Sequence, residues 1–523
     1  LTRRLILGPP GTGKTTYLLD IVDECLSNGI APDRIAYVSF TQKAAYEARD
    51  RAMDRFNFTR DDFPYFRTLH SLSARIMGLG KDDFLHASHY KEIGAAAGLG
   101  NLTGQKIDFS TEIRSVNAAN HLLSLIDIAR NKKLSLEEYS RQLPEIARYY
   151  AIGRNGKSLK ILLSELEVYK ATYGLLDFTD LIVNPVHEGY PPLDIDVAII
   201  DEAQDLTAVQ WDFVNHFFKR AKRVFIAGDD DQAIYEWNGA DVDQFLHLQG
   251  EKVVLEKSYR LPRRPWMIAN VLANRITQRY KKDWSHNGDE GEVIRVGGYN
   301  TAHILEGGEW MVLARNNAYL KEVQRWLISK GVPIRRNDYD VIDPEHISAI
   351  NAWVDLNEGR MISGIRAKLL YKFLATKRHV GYGGKSRMND ADDSDRFSFD
   401  NLRDGFAFIA DLTVPWWNAL EFIPQEKREY YRRVRQNGES LRNPRVLLST
   451  IHGVKGGEAD NVLLLPDMAR QTQRMFQSGG RFGNEEHRVF YVGASRARKR
   501  LFICGAQAQY TYPFPTFGNR DAA

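Results

Sequence analysis

An apolar run, Leu5-Ile6-Leu7, leads directly into Gly8-Pro9-Pro10-Gly11-Thr12-Gly13-Lys14-Thr15. A helical period leads out of it, from Thr16 to Leu26, with apolar residues at Leu18, Leu19, Ile21, Val22 and Leu26. Strand, glycine loop and helix in that order are the context a phosphate-binding loop requires. Glycines let backbone N–H groups close around phosphate oxygens, and the helix N-terminus adds partial positive charge. The Lys14 ammonium can reach the outer phosphates, and the Thr15 hydroxyl can ligate Mg²⁺. A chain that opens this way is expected to build a parallel α/β sheet with the loop at its C-terminal edge.

One such sheet does not use up 523 residues, a length that suggests about three or four domains. Residues 1–86 alternate strand and helix, with a second strand at Ile35–Phe40, a helix capped by Thr41, and a third unit from Phe66 to Met77. From 87 to 184 the pattern is helical only, with amphipathic stretches at Ser115–Arg130, Ser135–Arg141 and Leu159–Tyr173. Sheet rhythm resumes at Asp194–Ile200 and Arg223–Ala227. A further α/β region begins at Lys257, with a helix over Trp266–Arg279, a strand at Trp310–Ala314 and a helix from Tyr319 to Lys330. Residues 344–439 are again mostly helical, and His379–Asp395, rich in Gly, Ser, Asp and Asn, reads as a mobile loop. Strands return at Arg445–Ser449, Asn461–Leu465 and Arg500–Cys504. The expected division is 1–86 with 185–256, interrupted by 87–184, then 257–343 with 440–515, interrupted by 344–439, and a tail at 516–523.

Composition narrows the function classes. Net charge is +4, from 71 basic and 67 acidic side chains, so any basic groove for nucleic acid is local. Two cysteines, Cys25 and Cys504, make neither a disulfide framework nor a zinc set, and fit a reduced, cytoplasmic setting. No run of 18 apolar residues is present, so no membrane span or membrane partner is expected. With the first strand starting almost at once, no secretory signal is expected before it.

Two further stretches carry chemistry. Ile199-Ile200-Asp201-Glu202-Ala203-Gln204-Asp205 puts paired carboxylates at the end of an apolar strand. Asp201 is a candidate Mg²⁺ ligand, and Glu202 a candidate base for the water that attacks a γ-phosphate. Alone, an Asp-Glu pair is equally a helix start favoured by the dipole; beside the glycine loop it reads as a catalytic pair. In Gly228-Asp229-Asp230-Asp231-Gln232-Ala233-Ile234-Tyr235-Glu236-Trp237-Asn238, Gln232 is placed to sense a γ-phosphate. Tyr235 and Trp237 offer rings either to unpaired bases or to a core.

With these three stretches, five more resemble the motifs of the UvrD/Rep-type superfamily 1 helicases, in the same order. They are Val38–Ala45, Thr68-Leu69-His70-Ser71, Leu255-Glu256-Lys257-Ser258-Tyr259-Arg260, Ser449–Glu458 and Glu486–Arg498. The resemblance implies two RecA-like parallel-sheet domains, each interrupted by a mostly helical insertion. It implies an ATP- and Mg²⁺-dependent DNA helicase moving 3′ to 5′ on single-stranded DNA, acting at junctions as a monomer with room for an accessory loading protein, in the cytoplasm at the nucleoid. Gly8, Pro9, Pro10, Gly11, Thr12, Gly13, Lys14, Thr15 and Thr16 would wrap the nucleotide, with Tyr259 on adenine and Glu458 on ribose. Arg260 and Arg496, assigned to the second motor domain, would act on the γ-phosphate as arginine fingers. Phe40, Thr41, Thr68, His70, Tyr235, Trp237 and His452 would lie along the strand.

The chain departs from that pattern in places. Seven residues precede Gly8, so the adenine-reading glutamine motif is not assigned. Asn238 stands where many relatives carry a basic residue, and the 344–439 insertion is short beside those of larger relatives. Nothing after 498 resembles the nuclease fused to some relatives. Two other functions fit the same motifs: a DNA-stimulated ATPase that displaces proteins without unwinding, and an ATP-gated single-strand-binding module.

Overall fold

The computed structural model describes residues 2–39, 42–105, 118–142, 157–337 and 339–516. They group into two compact units, one of Leu1–Val293, Asp467–Leu501 and Ala508–Ala523, the other of Ile294–Pro466 and Phe502–Gln507.

The first unit is built on six strands: β1 (Thr2–Leu7), β2 (Ile35–Ser39), β3 (Phe66–Thr68), β4 (Val197–Asp201), β5 (Arg223–Gly228) and β6 (Glu251–Val254). Their order is β3-β2-β4-β5-β1-β6, with parallel pairing throughout. Successive residues of each strand divide between two cores. Ile6, Tyr37, Ile199 and Phe225 enter one, while Leu5, Val38, Ile200 and Ile226 enter the other. A parallel strand buried on both faces has no polar side, which is why these segments read as unbroken apolar runs.

This strand order positions the chemistry. The end of β5 lies between those of β4 and β1, so Asp201, Asp229 and the Gly8 loop emerge side by side. Register supports this, with Leu7 opposite Gly228 and Ser39 opposite Asp201.

The described part of 87–184 is helical, with helices Ala87–Ala96, Ala118–Asn131, Leu136–Gln142, Lys157–Tyr173 and Phe178–His187. The first four surround a core of their own, centred on Ile93, Leu102, Ile126, Leu162 and Leu166.

The second unit's sheet runs through β7 (Glu292–Val296), β8 (Trp310–Ala314), β9 (Ile334–Arg336), β12 (Val446–Thr450), β13 (Ala459–Leu464) and β14 (Ala497–Cys504), in the order β7-β14-β13-β8-β12-β9. A separate two-stranded ribbon pairs β10 (Ile362–Ser363) with β11 (Arg396–Phe397). Here, among the described residues, the helical insertion packs into the core of the sheet itself. Val312, Ile334 and Leu448 of the sheet share one continuous core with Trp353, Leu370, Phe408 and Tyr431 of the insertion.

Both six-stranded sheets and the helical insertions match the α/β class expected from sequence. Two local readings are corrected. His379–Asp395 is not a bare mobile loop: it contains the helix Gly384–Asn389, and His379 and Met388 are buried. The polar, glycine-rich composition hid two apolar anchors, Val380 and Met388, that tie it to the core. The helix expected over Trp266–Arg279 spans Arg263–Ala273 and stops there. Beyond it, Arg279 pairs with Asp231 and the Tyr280 N–H donates to Asp230, contacts that compete with continued helix.

Candidate nucleotide site

Gly13 adopts a left-handed conformation (φ 78°) and turns the loop into the helix Lys14–Ser27. No side chain caps that helix, so its first-turn N–H groups are presented to an anion. Within the loop, the Thr12 hydroxyl donates to the Pro9 carbonyl at 2.8 Å and closes the turn. Lys14 folds back over Gly8, where a Cβ would come 2.0 Å from the lysine Cγ. Its Nζ lies 3.0 Å from Glu202 Oε1. Burial disfavours the ammonium, but Glu202, Asp201 and Asp229 outweigh it and hold Lys14 above its ordinary pKa.

Asp201 ends β4 fully buried, accepting the Tyr37 hydroxyl at 3.1 Å and the Glu202 N–H at 2.8 Å. Burial, then the neighbouring Glu202, pushes its carboxyl up to about 6. Glu202 sits at φ 54°, a left-handed conformation that costs a non-glycine residue about 1–2 kcal/mol. Two carboxylates crowded at a sheet edge, one of them buried, make a place where a hard dication relieves repulsion. Thr15 and Asp201 carry oxygen atoms of the kind that could hold Mg²⁺. Among the described residues no group of three or more His, Cys, Asp or Glu forms a metal cage.

Gln204, quoted in the sequence motif but given no role there, links these groups. Its Nε2 donates to Glu202 Oε2 at 2.7 Å and to Asp205 at 3.2 Å, while its Oε1 accepts the Asp229 N–H at 3.0 Å. One buried amide thus ties the end of β4 to the end of β5. Gln232 follows: its Nε2 donates to Asp229 Oδ2 at 2.8 Å, and its Oε1 accepts from Arg496 Nη2 at 2.8 Å. Arg496 is itself buried, held by the Val492 carbonyl and the Ser495 hydroxyl.

Ser258, Tyr259 and Arg260 fall in the same compact unit as the loop and pack on it. The Ser258 hydroxyl donates to the Pro10 carbonyl at 2.8 Å, and the Tyr259 N–H to the Gly11 carbonyl at 2.7 Å. Gly11 (φ 72°) has no room for a side chain, since a Cβ would lie 2.3 Å from Arg260 Cβ. Tyr259 is 73% exposed, its ring lying beside Gly13.

The expected strand contacts divide into four sets. Phe40 and Thr41 lie outside the described residues. Thr68 caps the helix Leu69–Met77 by accepting the Ser71 N–H, and with His70 and Asn238 it lines a cleft of about 140 Å³. Phe178, 60% exposed, borders the same cleft edge-on to His70 at 5.9 Å; a lone phenylalanine at a helix start gave no signal in sequence. Tyr235 and Trp237 are half-buried, their rings 6.2 Å apart at 62°. His452 and Glu458 belong to the second unit, on the turn between β12 and β13. There Asn337, also missed from sequence, donates to the Gly453 carbonyl at 2.8 Å and pins the turn.

Comparison with known proteins gives the same answer as the motifs. The family described as the UvrD/REP helicase N-terminal domain matches residues 1–252, and the UvrD-like helicase C-terminal domain matches residues 433–508. The chain is 24% identical to the ATP-dependent DNA helicase PcrA of Bacillus subtilis, covering 96% of this chain and 80% of that protein. It is 24% identical to the probable DNA helicase II homolog of Rickettsia felis, over 97% of this chain and 90% of that protein. Its similarity to PcrA of Leuconostoc citreum, 25% identical, spans 63% of this chain and about half, 47%, of that relative's length. Among the described residues no helix is long and apolar enough to cross a membrane.

Proposed function

The chain belongs to the UvrD/Rep-type family of ATP-hydrolysing DNA helicases, and we propose that it uses ATP to travel 3′ to 5′ along single-stranded DNA and to unwind duplex at junctions. The observation that carries this reading is the convergence of Lys14, Asp201, Glu202, Gln232 and Arg496 at neighbouring strand ends, joined by contacts of 2.7–3.0 Å through Gln204 and Asp229.

In this reading the loop from Gly8 to Thr16 wraps the phosphates, Tyr259 stacks on adenine and Glu458 meets the ribose. Thr15 and Asp201 hold Mg²⁺, which when bound offsets charge on the phosphate oxygens. Glu202, oriented by Lys14 and Gln204, accepts the proton of the attacking water. Arg260 and Arg496 face the charge that develops on the γ-phosphoryl group, because a guanidinium stays ionised and its fork matches phosphate oxygens. Gln232, touching Arg496, reports the γ-phosphate to the loop that carries Tyr235 and Trp237. Those rings, with Phe40, Thr41, Thr68, His70 and His452, contact the single strand. The protein acts as a monomer, with an accessory loading protein as a further partner.

The test is ATP hydrolysis with and without single-stranded DNA, paired with strand displacement on 3′-tailed, 5′-tailed, blunt and RNA-containing duplexes. DNA-stimulated hydrolysis with displacement of the 3′-tailed substrate alone is the expected result. Stimulated hydrolysis without displacement would favour a translocase that clears proteins. Binding without phosphate release would favour an ATP-gated module.

A further inference from the structure

Three consecutive aspartates follow β5, and all three side chains are fully buried. Burying one carboxylate without a partner is costly, and three in a row is untenable unless opposite charge reaches them. The charge comes from a segment outside every motif considered so far. Lys282 Nζ, itself fully buried, lies 2.9 Å from Asp229, 2.5 Å from Asp230 and 3.0 Å from Asp231. Arg279, one helical turn's distance earlier, grips Asp231 with both arms of its fork, at 2.7 and 2.6 Å. On the other side, Arg488 donates to the Asp230 carbonyl at 3.0 Å and to Glu236 at 3.0 Å.

The two oxygens of Asp229 have different tasks. Oδ1 faces Lys282 at 2.9 Å. Oδ2 accepts the Gln232 amide at 2.8 Å and lies 3.4 Å from the Tyr491 hydroxyl. With Asp229 acting only as an acceptor, the Gln232 NH₂ must face it, and the Gln232 carbonyl oxygen must face Arg496. We propose that Lys282, supported by Arg279, is a positioning residue for ATP hydrolysis: it holds Asp229 as a fixed acceptor and thereby sets which way the Gln232 amide presents itself to Arg496. Without Lys282 the carboxylates repel, and Asp229 either takes a proton or turns away. The Gln232 amide then loses the acceptor that orients its NH₂, and a half-turn would set NH₂ against guanidinium, donor against donor. This inference rests on the hydrolytic role proposed above.

The test compares wild type with Lys282→Met, Lys282→Arg and the double variant Asp230→Asn/Lys282→Met, which removes one carboxylate with the cation. With saturating single-stranded DNA, kcat of Lys282→Met should fall at least tenfold while KM for ATP moves less than about threefold. Lys282→Arg should recover most of kcat, because the charge returns to the same place, and the double variant should recover part. Unchanged kcat in Lys282→Met overturns the proposal. So does a loss that Lys282→Arg fails to rescue although its melting temperature matches wild type. A crystal structure of the double variant, which keeps charge balance if Lys282→Met does not fold, reads the geometry without turnover. Gln232 displaced or turned from Arg496 supports the proposal, and an unaltered contact refutes it. If wild type itself releases no phosphate, the hydrolytic reading fails, while this structural arm still reports on the clamp.

Discussion

Lys14 Nζ stands 3.0 Å from Glu202 Oε1, joining the loop after β1 to the acid after β4 across the end of β5. The pair is partly shielded, and Gln204 holds the second carboxylate oxygen at 2.7 Å. Glu202 therefore has one oxygen on a cation and one on an amide, which fixes its plane.

If these groups act as proposed, Lys14→Ala and Glu202→Gln each lower kcat for ATP at least 100-fold, the scale on which a general base contributes. The two should differ in binding. Glu202→Gln keeps the loop intact and should still trap ATP, measured by filter binding or calorimetry, whereas Lys14→Ala should weaken it. Normal turnover by Glu202→Gln would remove Glu202 from the base role.

Gln204→Ala removes the amide that spans Glu202 and the Asp229 N–H. A buried N–H left without its acceptor costs about 1–3 kcal/mol, to be seen in chemical unfolding. The loosened carboxylate should also cost about 10- to 100-fold in kcat, since small misplacements at a reacting centre carry such penalties. A loss of stability with kcat intact would confine Gln204 to structure.

Trp237→Ala should weaken single-strand binding by about 1–3 kcal/mol, the scale of one base–aromatic stack. Fluorescence anisotropy with a labelled oligonucleotide measures it. Unchanged affinity together with a lower melting temperature would assign the half-buried ring to packing, through its edge contact with Tyr235.

A pH effect on stability follows from His487. Burial, then the nearby Arg275, pulls its ring down to about 4 from an ordinary 6.5. Arg275 donates to the Tyr512 hydroxyl, which is 2.7 Å from His487 Nδ1, so the hydroxyl proton points to a neutral ring nitrogen. Between about pH 4 and 6.5 the unfolded chain binds the extra proton, so stability rises with pH across that window and is lost as pH falls through it. Melting temperature should drop more between these limits for wild type than for His487→Asn, which accepts the same hydroxyl but does not titrate. Parallel pH curves would contradict the assignment.

Much of this was legible locally. A glycine loop between an apolar run and a helical period announces its own geometry, because strand, loop and helix are set by neighbours a few positions apart. Arg496 and Gln232 were each recognisable from the motif around them. Their 2.8 Å contact, across 264 positions, was not.

The chain by itself determined the two parallel sheets, the helical interruptions and the glycine loop set between a strand and a helix, since apolar period and glycine placement act within one element. Only the tertiary structure decided that Gln204 bridges two strand ends, that Asn337 pins the His452 turn, and that the second insertion shares its sheet's core while the first has its own. It also decided that Lys282, 52 positions from Asp230, meets all three buried aspartates and with Arg279 offsets their charge. A lysine in a polar stretch and a run of acids each look solvated in sequence. Coulomb attraction acts through distance in space, and strand order and burial, with no periodic trace, set that distance.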